Sequence, residues 1–371
     1  MQALGPLRIA NGEVIIYRLF EAAYAIELAQ AEAIWRDRAG LAGARKRLQA
    51  TPAKAVAYDV PPLVLSLETV TLTLADGPVT TAVSARLYDF GVITVALRIA
   101  ARDVDWAGFA ALLNAVNDMA GSDKALWDSL IGQLVGLLRP SLVRPAAAML
   151  EEDYIVGLVR AFDRPVLATE IQALDLVPLL SGERMALSPG ARQDLLRNSF
   201  SYYTDDLAVL TWDRAFLYEP RGDSDVIDVL EVANAQLLEM RYYDELLDDE
   251  LPSMYDLVET TRRSAGIGSS RRFSQLARRL YALVAEVTEL TEKVDNALQV
   301  TEDVYLARIY SAALDLFRVG TVSAAVDRKL AIIRDTYAAL YEEASSGRAA
   351  AMELAIVVLI VVEIVLALLH R

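Results

Sequence analysis

A strongly hydrophobic run near the C-terminus constrains the fold of this chain more than any other feature. Residues 354–369 read LAIVVLIVVEIVLALL and are followed by His370 and Arg371. As a helix this run spans about 24 Å, which is shorter than a hydrocarbon core of about 30 Å. Extension back through residues 349–353 supplies the missing turn. The sequence therefore predicts a C-terminal transmembrane helix within residues 347–371, with lipid contact through 349–369.

Glu363 is the ionisable residue inside this run. The branched aliphatic residues favour insertion by about 0.3–0.6 kcal/mol each, whereas one off-centre carboxylate costs about 3 kcal/mol, so the net free energy still favours insertion. An intramembrane Glu363 is either a functional group that hydrogen-bonds another helix or a residue without a function near the membrane interface. The alternative for the whole run is a buried core helix of a soluble bundle, in which Glu363 and His370 form a thin polar stripe.

The composition excludes several kinds of site. The 371 residues contain no cysteine, which excludes disulfides and thiolate metal sites. The single histidine is His370, which excludes a Ser-His-Asp triad and multi-histidine metal sites. Gly266-Ile267-Gly268 lacks the third glycine of a dinucleotide fingerprint, and a Walker lysine loop is absent from the sequence. We therefore expect a protein that is not an enzyme, with no catalytic, cofactor-binding or metal residues.

Charge and N-terminal sequence suggest where the protein acts. A net charge of −15 argues against nucleic acid as a partner, because phosphate contact needs a basic face. Residues 1–20 lack both the basic-then-apolar pattern of a signal peptide and the composition of a transit peptide. The expected topology is a single-pass C-terminal anchor with the bulk of the chain in the cytoplasm.

Hydrophobic periodicity predicts two α/β units before a helical region. In the first, over residues 1–150, we predict strands at 14–20, 70–74, 80–88 and 92–99 and helices at 22–47 and 106–117. In the second, over 151–222, we predict a strand beginning at Asp153 and short strands at 200–203, 207–211 and 215–218. Residues 88–94 and 205–211 are similar to one another. The pattern fits either duplicated ferredoxin-like units or two ordinary hairpins.

Residues 223–346 show the 4,3 hydrophobic spacing of long coiled-coil helices, which Asp244 interrupts. An antiparallel intramolecular hairpin and a dimeric coiled coil predict this spacing equally well. Acidic clusters such as Asp248-Asp249-Glu250 fit a solvated helix face. The turn of this region is rich in arginine, at Arg262, Arg263, Arg271, Arg272, Arg278 and Arg279. These six form either a basic tip that binds an acidic partner, RNA or lipid headgroups, or a solvated turn paired with nearby carboxylates.

Two segments resemble a known family. They are Tyr88-Asp89-Phe90-Gly91-Val92 and the C-terminal pattern that begins at Arg348 and includes Glu353-Leu354 and Glu363. Together they resemble the YagE family, related to the "required for meiotic nuclear division" proteins, in the form of a distant, bacterial-type member. The resemblance implies an α/β region, a helical stalk and a C-terminal hydrophobic helix, with a membrane-associated organising role and no catalytic residues.

The sequence thus predicts a membrane-anchored scaffold with a cytoplasmic α/β head and a stalk that self-associates and binds an unidentified protein. One alternative is a soluble or peripheral coiled-coil oligomer whose C-terminal helix packs in a bundle. The other is a ligand-binding module in the α/β head, which rests on fold analogy.

Overall fold

The computed structural model describes residues 7–39, 44–45, 57–58, 60–74, 77–183, 185–222, 225–263, 298–299 and 304–336, with scattered positions between 275 and 288 and at 338, 339, 357 and 360. The chain divides into two compact units. The first comprises Met1–Glu239 with Lys293–Gly320, and the second comprises Met240–Glu292 with Thr321–Arg371.

The described strands all belong to the first unit. In chain order they are β1 Arg8–Glu21, β2 Ala23–Ile26, β3 Ala44–Arg45, β4 Ala57–Tyr58, β5 Leu63–Ser66, β6 Val70–Leu74, β7 Gly77–Leu87, β8 Val92–Ala101, β9 Val104–Asp105, β10 Leu142–Pro145, β11 Glu151–Phe162, β12 Ser199–Phe200, β13 Leu207–Leu210, β14 Arg214–Tyr218 and β15 Leu298–Gln299. The helices are α1 Leu28–Ala39, α2 Trp106–Ser122, α3 Lys124–Leu138, α4 Ala168–Gln172, α5 Val177–Ser181, α6 Pro189–Leu195, α7 Val226–Arg263, α8 Val304–Leu316 and α9 Val319–Thr336.

One mixed, eleven-stranded sheet forms the centre of the first unit, in the order β12-β13-β14-β11-β1-β8-β7-β5-β3, with β6 on β7 and β9 on β1. The long strand β1 pairs antiparallel with both β8 and β11. Residues 14–21 of β1 are buried, including the side chains on both faces. A strand that is covered on both faces has an almost continuously apolar sequence, which explains the VIIYRLF sequence of this segment.

The sheet corrects the prediction of two duplicated ferredoxin-like units. Strands from residues 1–150 and 151–222 join in a single sheet, and their pairings differ: β8 lies directly against β1, whereas β13 lies one strand away from β11. The intervening β14 pairs parallel with β11. The helix predicted over 22–47 also begins later than expected, at Leu28, because residues 23–26 pair with β10 instead.

Helices α2 and α3 cover one face of the sheet with apolar side chains. Asp105 caps α2, accepting a hydrogen bond from the Gly108 amide at 2.7 Å. Phe109 and Leu113 of α2 are fully buried over β11. A Cβ added at Gly157 of β11 would lie 2.9 Å from the Leu113 side chain, so glycine permits this close approach of helix and sheet.

The second unit contains the C-terminal part of α7 and most of α9. Met240, Leu247 and Met254 of α7 are buried, and so are Val326, Leu330 and Ile333 of α9. Asp244, which interrupts the hydrophobic spacing, accepts a hydrogen bond from Lys329 Nζ at 2.6 Å. The pairing accounts for a carboxylate at this position of the seam. Helices therefore follow the α/β region as predicted, but a long coiled coil is not seen in the residues that the structure describes.

The predicted transmembrane helix lies outside the described residues, apart from positions 357 and 360. Among the helices that are described, none is individually long and apolar enough to cross a membrane. Helices α8 and α9 meet that criterion only when the two are taken together across the break between them.

Candidate functional site: a buried polar face

The second face of the sheet carries polar side chains. Alternation along each strand places Tyr17 and Glu21 of β1, Arg86 of β7, Thr94 of β8 and Tyr154 of β11 on the face opposite α2 and α3. The strand register agrees, since Tyr17 lies opposite Tyr154 and Arg86 lies opposite Thr94. We call these five residues, together with the α7 residues that face them, the polar face.

The N-terminal part of α7 covers the polar face. Asp228, Glu231 and Asn234 recur every third residue and therefore share one side of the helix. Their neighbours Val229, Val232 and Ala235 are fully buried, so this stretch of α7 is enclosed on all sides. Helix α8 contributes to the enclosure: Tyr310 Oη lies 2.6 Å from Gln236 Oε1, and the ring of Phe317, directly after α8, packs edge-on against Tyr154.

Arg86 forms the centre of the polar face. Its Nη2 donates to Asp228 Oδ1 at 2.7 Å, and its Nη1 lies 3.0 Å from Glu231 Oε2. The side chains of all three are at most 13% exposed. Tyr88 Oη donates to the other oxygen of Glu231 at 2.8 Å. These charge-assisted bonds offset the desolvation of three charged groups, and removal of any partner leaves an uncompensated charge inside the protein.

Two tyrosines extend the polar face beside this cluster. Asn234 Nδ2 donates to Tyr17 Oη at 3.2 Å, and Tyr154 Oη donates to the Arg214 carbonyl at 2.8 Å. Burial raises the pKa of both phenols well above the usual value, and the neighbouring Tyr154 and the carboxylate of Glu231 raise the pKa of Tyr17 further. Both tyrosines are therefore neutral, and their hydroxyl groups take part in hydrogen bonds that position β1, β11 and α7.

Two further carboxyl groups are buried in the first unit, Glu21 at the end of β1 and Glu239 on α7. Glu21 and Glu239 are 2% and 1% exposed. Burial raises the pKa of Glu21 well above its usual value, and the charge of Glu239 raises it further. Gly91, with φ of 107°, completes the turn beside Glu21, because a Cβ there would lie 1.8 Å from the Ala23 carbonyl oxygen. The Tyr88–Val92 segment thus supplies both a hydrogen-bond donor and a tight turn to this region.

Chemically, the polar face encloses a charged cluster of one arginine and two carboxylates. Among the residues described, no group of three or more His, Cys, Asp or Glu side chains could hold a metal ion. Asp228 and Glu231 are engaged by Arg86, so their oxygens act as hydrogen-bond acceptors. The arrangement fixes α7 on the sheet and makes its attachment sensitive to the charge of a few side chains.

Most of the residues singled out from sequence fall outside the described part of the chain. Glu363 and three of the six arginines (271, 272 and 279) fall outside the described residues. Arg262 and Arg263 end α7, but their side chains are not described, and Arg278 stands at an isolated helical position. The structure therefore gives no geometry for the predicted basic tip.

Sequence reasoning missed the polar face. It assigned acidic clusters such as Asp248-Asp249-Glu250 to a solvated face, and the side chain of Asp248 is 61% exposed. It did not single out Asp228, Glu231 and Glu239, which are at most 8% exposed. The signal was present: these acids are flanked by Val, Leu and Ala around the whole helix, as in VIDVLEVANAQLLEM. A helix that is apolar on all sides is a buried one.

Comparison with known proteins identifies a family for part of the chain. Residues 11–225 match the family model of the N-terminal domain of uncharacterized protein MJ0711. The protein of that name from Methanocaldococcus jannaschii is 26% identical over 176 residues, which cover 47% of this chain and 53% of the relative. The match thus spans about half the length of that relative. No solved structure matches the chain.

These matches overturn the predicted membership of the YagE family, which rested on short segments of common residue types. The turn between β7 and β8 and the hydrogen bond between Tyr88 and Glu231 account for the sequence of the Tyr88–Val92 segment.

Proposed function

This chain belongs to the family of the MJ0711 N-terminal domain, and we propose that it is a non-enzymatic scaffold tethered to a membrane by its C-terminal residues, with the first unit in the cytoplasm. The observation that carries the proposal is the hydrophobic run at 354–369. Its aliphatic residues favour insertion into hydrocarbon enough to offset the single Glu363.

Helix α7 supports a scaffolding role. It is a single 38-residue helix, about 57 Å long, whose first part belongs to the first unit and whose remainder belongs to the second. The polar face fixes the beginning of this helix by charged hydrogen bonds. A compact first unit together with a long helix suits a protein that presents binding surfaces to others. Self-association through the helices of the second unit is part of the same proposal.

Carbonate extraction of membranes tests the tether. Cells expressing the full-length protein are compared with cells expressing a form that ends at Gly347. A matched control keeps the full length but carries Ile360→Lys and Val361→Lys, since two charges at the centre of the run raise the cost of insertion by several kcal/mol. We expect only the unaltered full-length protein to resist extraction.

Two results would contradict the tether. Release of all three forms would make the C-terminal run a packing helix, and the soluble or peripheral oligomer would become the better description. Retention of all three would place membrane attachment elsewhere in the chain. Sedimentation equilibrium of the form that ends at Gly347 tests self-association separately, and a monomer over the whole concentration range would remove that part of the proposal.

A further inference from the structure

Strand β6 is an open edge of the large sheet. Among the residues that the structure describes, β6 pairs with β7 alone. It has five residues, Val70–Leu74, whereas the other strands of this sheet with a single neighbour, β3, β9 and β12, have two residues each. An edge strand presents a row of N–H and C=O groups to which the backbone of another strand can bind. The length of β6 makes it the main candidate for such pairing.

The strand register shows which backbone groups of β6 face this edge. Leu67 N donates to Val83 O at 2.9 Å, so the backbone of Val83 is turned toward the β5 and β6 side of β7. This direction alternates along a strand, so the backbone of Pro78 is turned the other way, as suits a residue without an N–H. Thr73 lies opposite Pro78 and therefore stands at a non-hydrogen-bonded position of the β6–β7 pair. The N–H and C=O groups of Thr73, and of Thr71 two residues before it, thus point to the open edge.

The sequence of β6 lacks the features that usually prevent edge pairing. The strand reads Val-Thr-Leu-Thr-Leu and contains no charged residue, proline or glycine. Its register with β7 runs through all five residues without a bulge. Natural sheets commonly protect a free edge with charged side chains, proline or a bulge. An uncharged, regular edge of this length is therefore suited to binding another strand.

The same sequence is complementary to itself. When two copies of β6 lie antiparallel about a two-fold axis at Leu72, Thr71 comes opposite the partner's Thr73, and Val70 comes opposite the partner's Leu74. Cross-strand pairs of two threonines or of two aliphatic residues are favourable, and no charged residue of β6 meets another. This register also joins the outward backbone groups of Thr71 to those of the partner's Thr73, and the reverse. A two-fold contact of this kind closes with two copies.

We propose that the protein forms a symmetric dimer in which β6 pairs antiparallel with β6 of a second copy. This interface lies on the first unit, so it is distinct from self-association through the helices of the second unit and does not depend on the membrane tether. Leu72 and Leu74 are 3% and 8% exposed and are already buried within their own copy. Backbone hydrogen bonds therefore supply most of the affinity, as in other cases of strand addition.

Charge gives the dimer a characteristic dependence on salt. Each copy carries a net charge of −15, and in the sequence Glu68 and Asp76 stand on either side of β6. Two copies therefore repel each other, and the repulsion is greatest where the acidic ends of the strands meet. Because salt screens repulsion between exposed charges, dimerisation should become stronger as the ionic strength rises.

Site-specific cross-linking of the purified full-length protein tests the proposal. The chain has no cysteine, so Thr71→Cys introduces a single thiol at the edge. In the dimer the two introduced thiols are diagonal neighbours, about 7–8 Å apart, within reach of a bis-maleimide that has a two-carbon linker. Thr80→Cys is the matched control, because Thr80 lies opposite Thr71 on β7 and is also exposed. Its two copies would be three strand spacings apart, about 14 Å or more, which is beyond that reach.

We expect a cross-linked dimer of Thr71→Cys whose yield rises with salt, and loss of that dimer in the Thr80→Cys control. Adding Thr73→Pro to Thr71→Cys removes an outward N–H and should abolish the cross-link, whereas adding Thr73→Val keeps the N–H and should preserve it. Equal cross-linking of Thr71→Cys and Thr80→Cys, or a Thr71→Cys dimer that survives Thr73→Pro, would overturn the proposal. A dimer seen in sedimentation equilibrium without the Thr71→Cys cross-link would also overturn it and would assign self-association to another surface.

Discussion

Both faces of the central sheet are covered by helices, but different interactions hold the helices on each face. On β1, Val14, Ile16 and Phe20 face α2 and α3, whereas Tyr17 and Glu21 face α7. Both sets are almost fully buried. The first face is held mainly by apolar volume, with one buried cation, Arg18, whose Nη2 donates to the Ala120 carbonyl of α2 at 3.5 Å. The second is held by paired charges and hydrogen bonds. The same strand thus contributes to two interfaces with different energetics.

The difference indicates which of the two interfaces depends more on the identity of its residues. An apolar interface tolerates substitutions that conserve volume, because dispersion and burial do not depend on the identity of the contacting atoms. A buried ion pair tolerates the loss of one partner poorly, since the other charge is then left without compensation. The polar face should therefore fix the position of α7 more strictly than the apolar face fixes α2, and its stability should vary with pH.

The largest effect is expected for Arg86→Ala. It leaves Asp228 and Glu231 buried without their cation and should destabilise the first unit by about 3–5 kcal/mol in urea unfolding. Arg98→Ala is the control, because Arg98 also pairs with a glutamate but its side chain is 36% exposed. That variant should lose no more than about 1 kcal/mol. Equal losses in the two variants would show that the buried Arg86 cluster contributes no more to the free energy of unfolding than the partly exposed Arg98 pair.

The apolar face should respond to a cavity instead. Leu113→Ala removes a fully buried side chain above Gly157 and should cost about 2–5 kcal/mol. Because no charge is involved, this loss should be the same at acidic and alkaline pH. Urea unfolding of Leu113→Ala at several pH values checks this. A loss that changes strongly with pH would contradict the distinction between an apolar and a charged face.

A smaller effect is expected for Tyr88→Phe. This change removes only the hydroxyl that donates to Glu231 at 2.8 Å and should cost about 1.5–3 kcal/mol, as is usual for a hydrogen bond to a charged group. Tyr203→Phe provides the matched control, since Tyr203 is exposed. If both variants unfold at the same urea concentration as the wild type, the Tyr88 hydroxyl makes no net contribution.

The sequence predicted much of the strand content. β6 and β8 were expected from alternation, and β11, β13 and β14 lie within a residue or two of their predicted positions. These segments are rich in β-branched and aromatic residues, so local preference and tertiary structure agree. β2 was missed because Ala23-Tyr24-Ala25-Ile26 has no strong preference of its own, and its strand conformation depends on pairing with the distant β10.

Strand order and the polar face depend on contacts between residues far apart in the chain. Arg86 and Asp228 are separated by 142 positions, and Tyr17 and Asn234 by 217. Periodicity reports which side of an element is apolar, but it does not identify the partner of a buried charge. For α7 the acids at 228, 231 and 239 were not singled out, although their apolar neighbours on every side of the helix already indicated burial.

A double-mutant cycle between Arg86 and Glu231 tests most directly whether paired charges hold α7 on the sheet. Arg86→Met, Glu231→Gln and the double variant are compared with the wild type by urea unfolding, because only the coupling free energy isolates the pair from the other contacts of each residue. We predict a coupling of about 1–3 kcal/mol, with the double variant more stable than the sum of the two single losses implies. Additive losses, with a coupling near zero, would contradict the account and leave apolar burial as the source of the attachment.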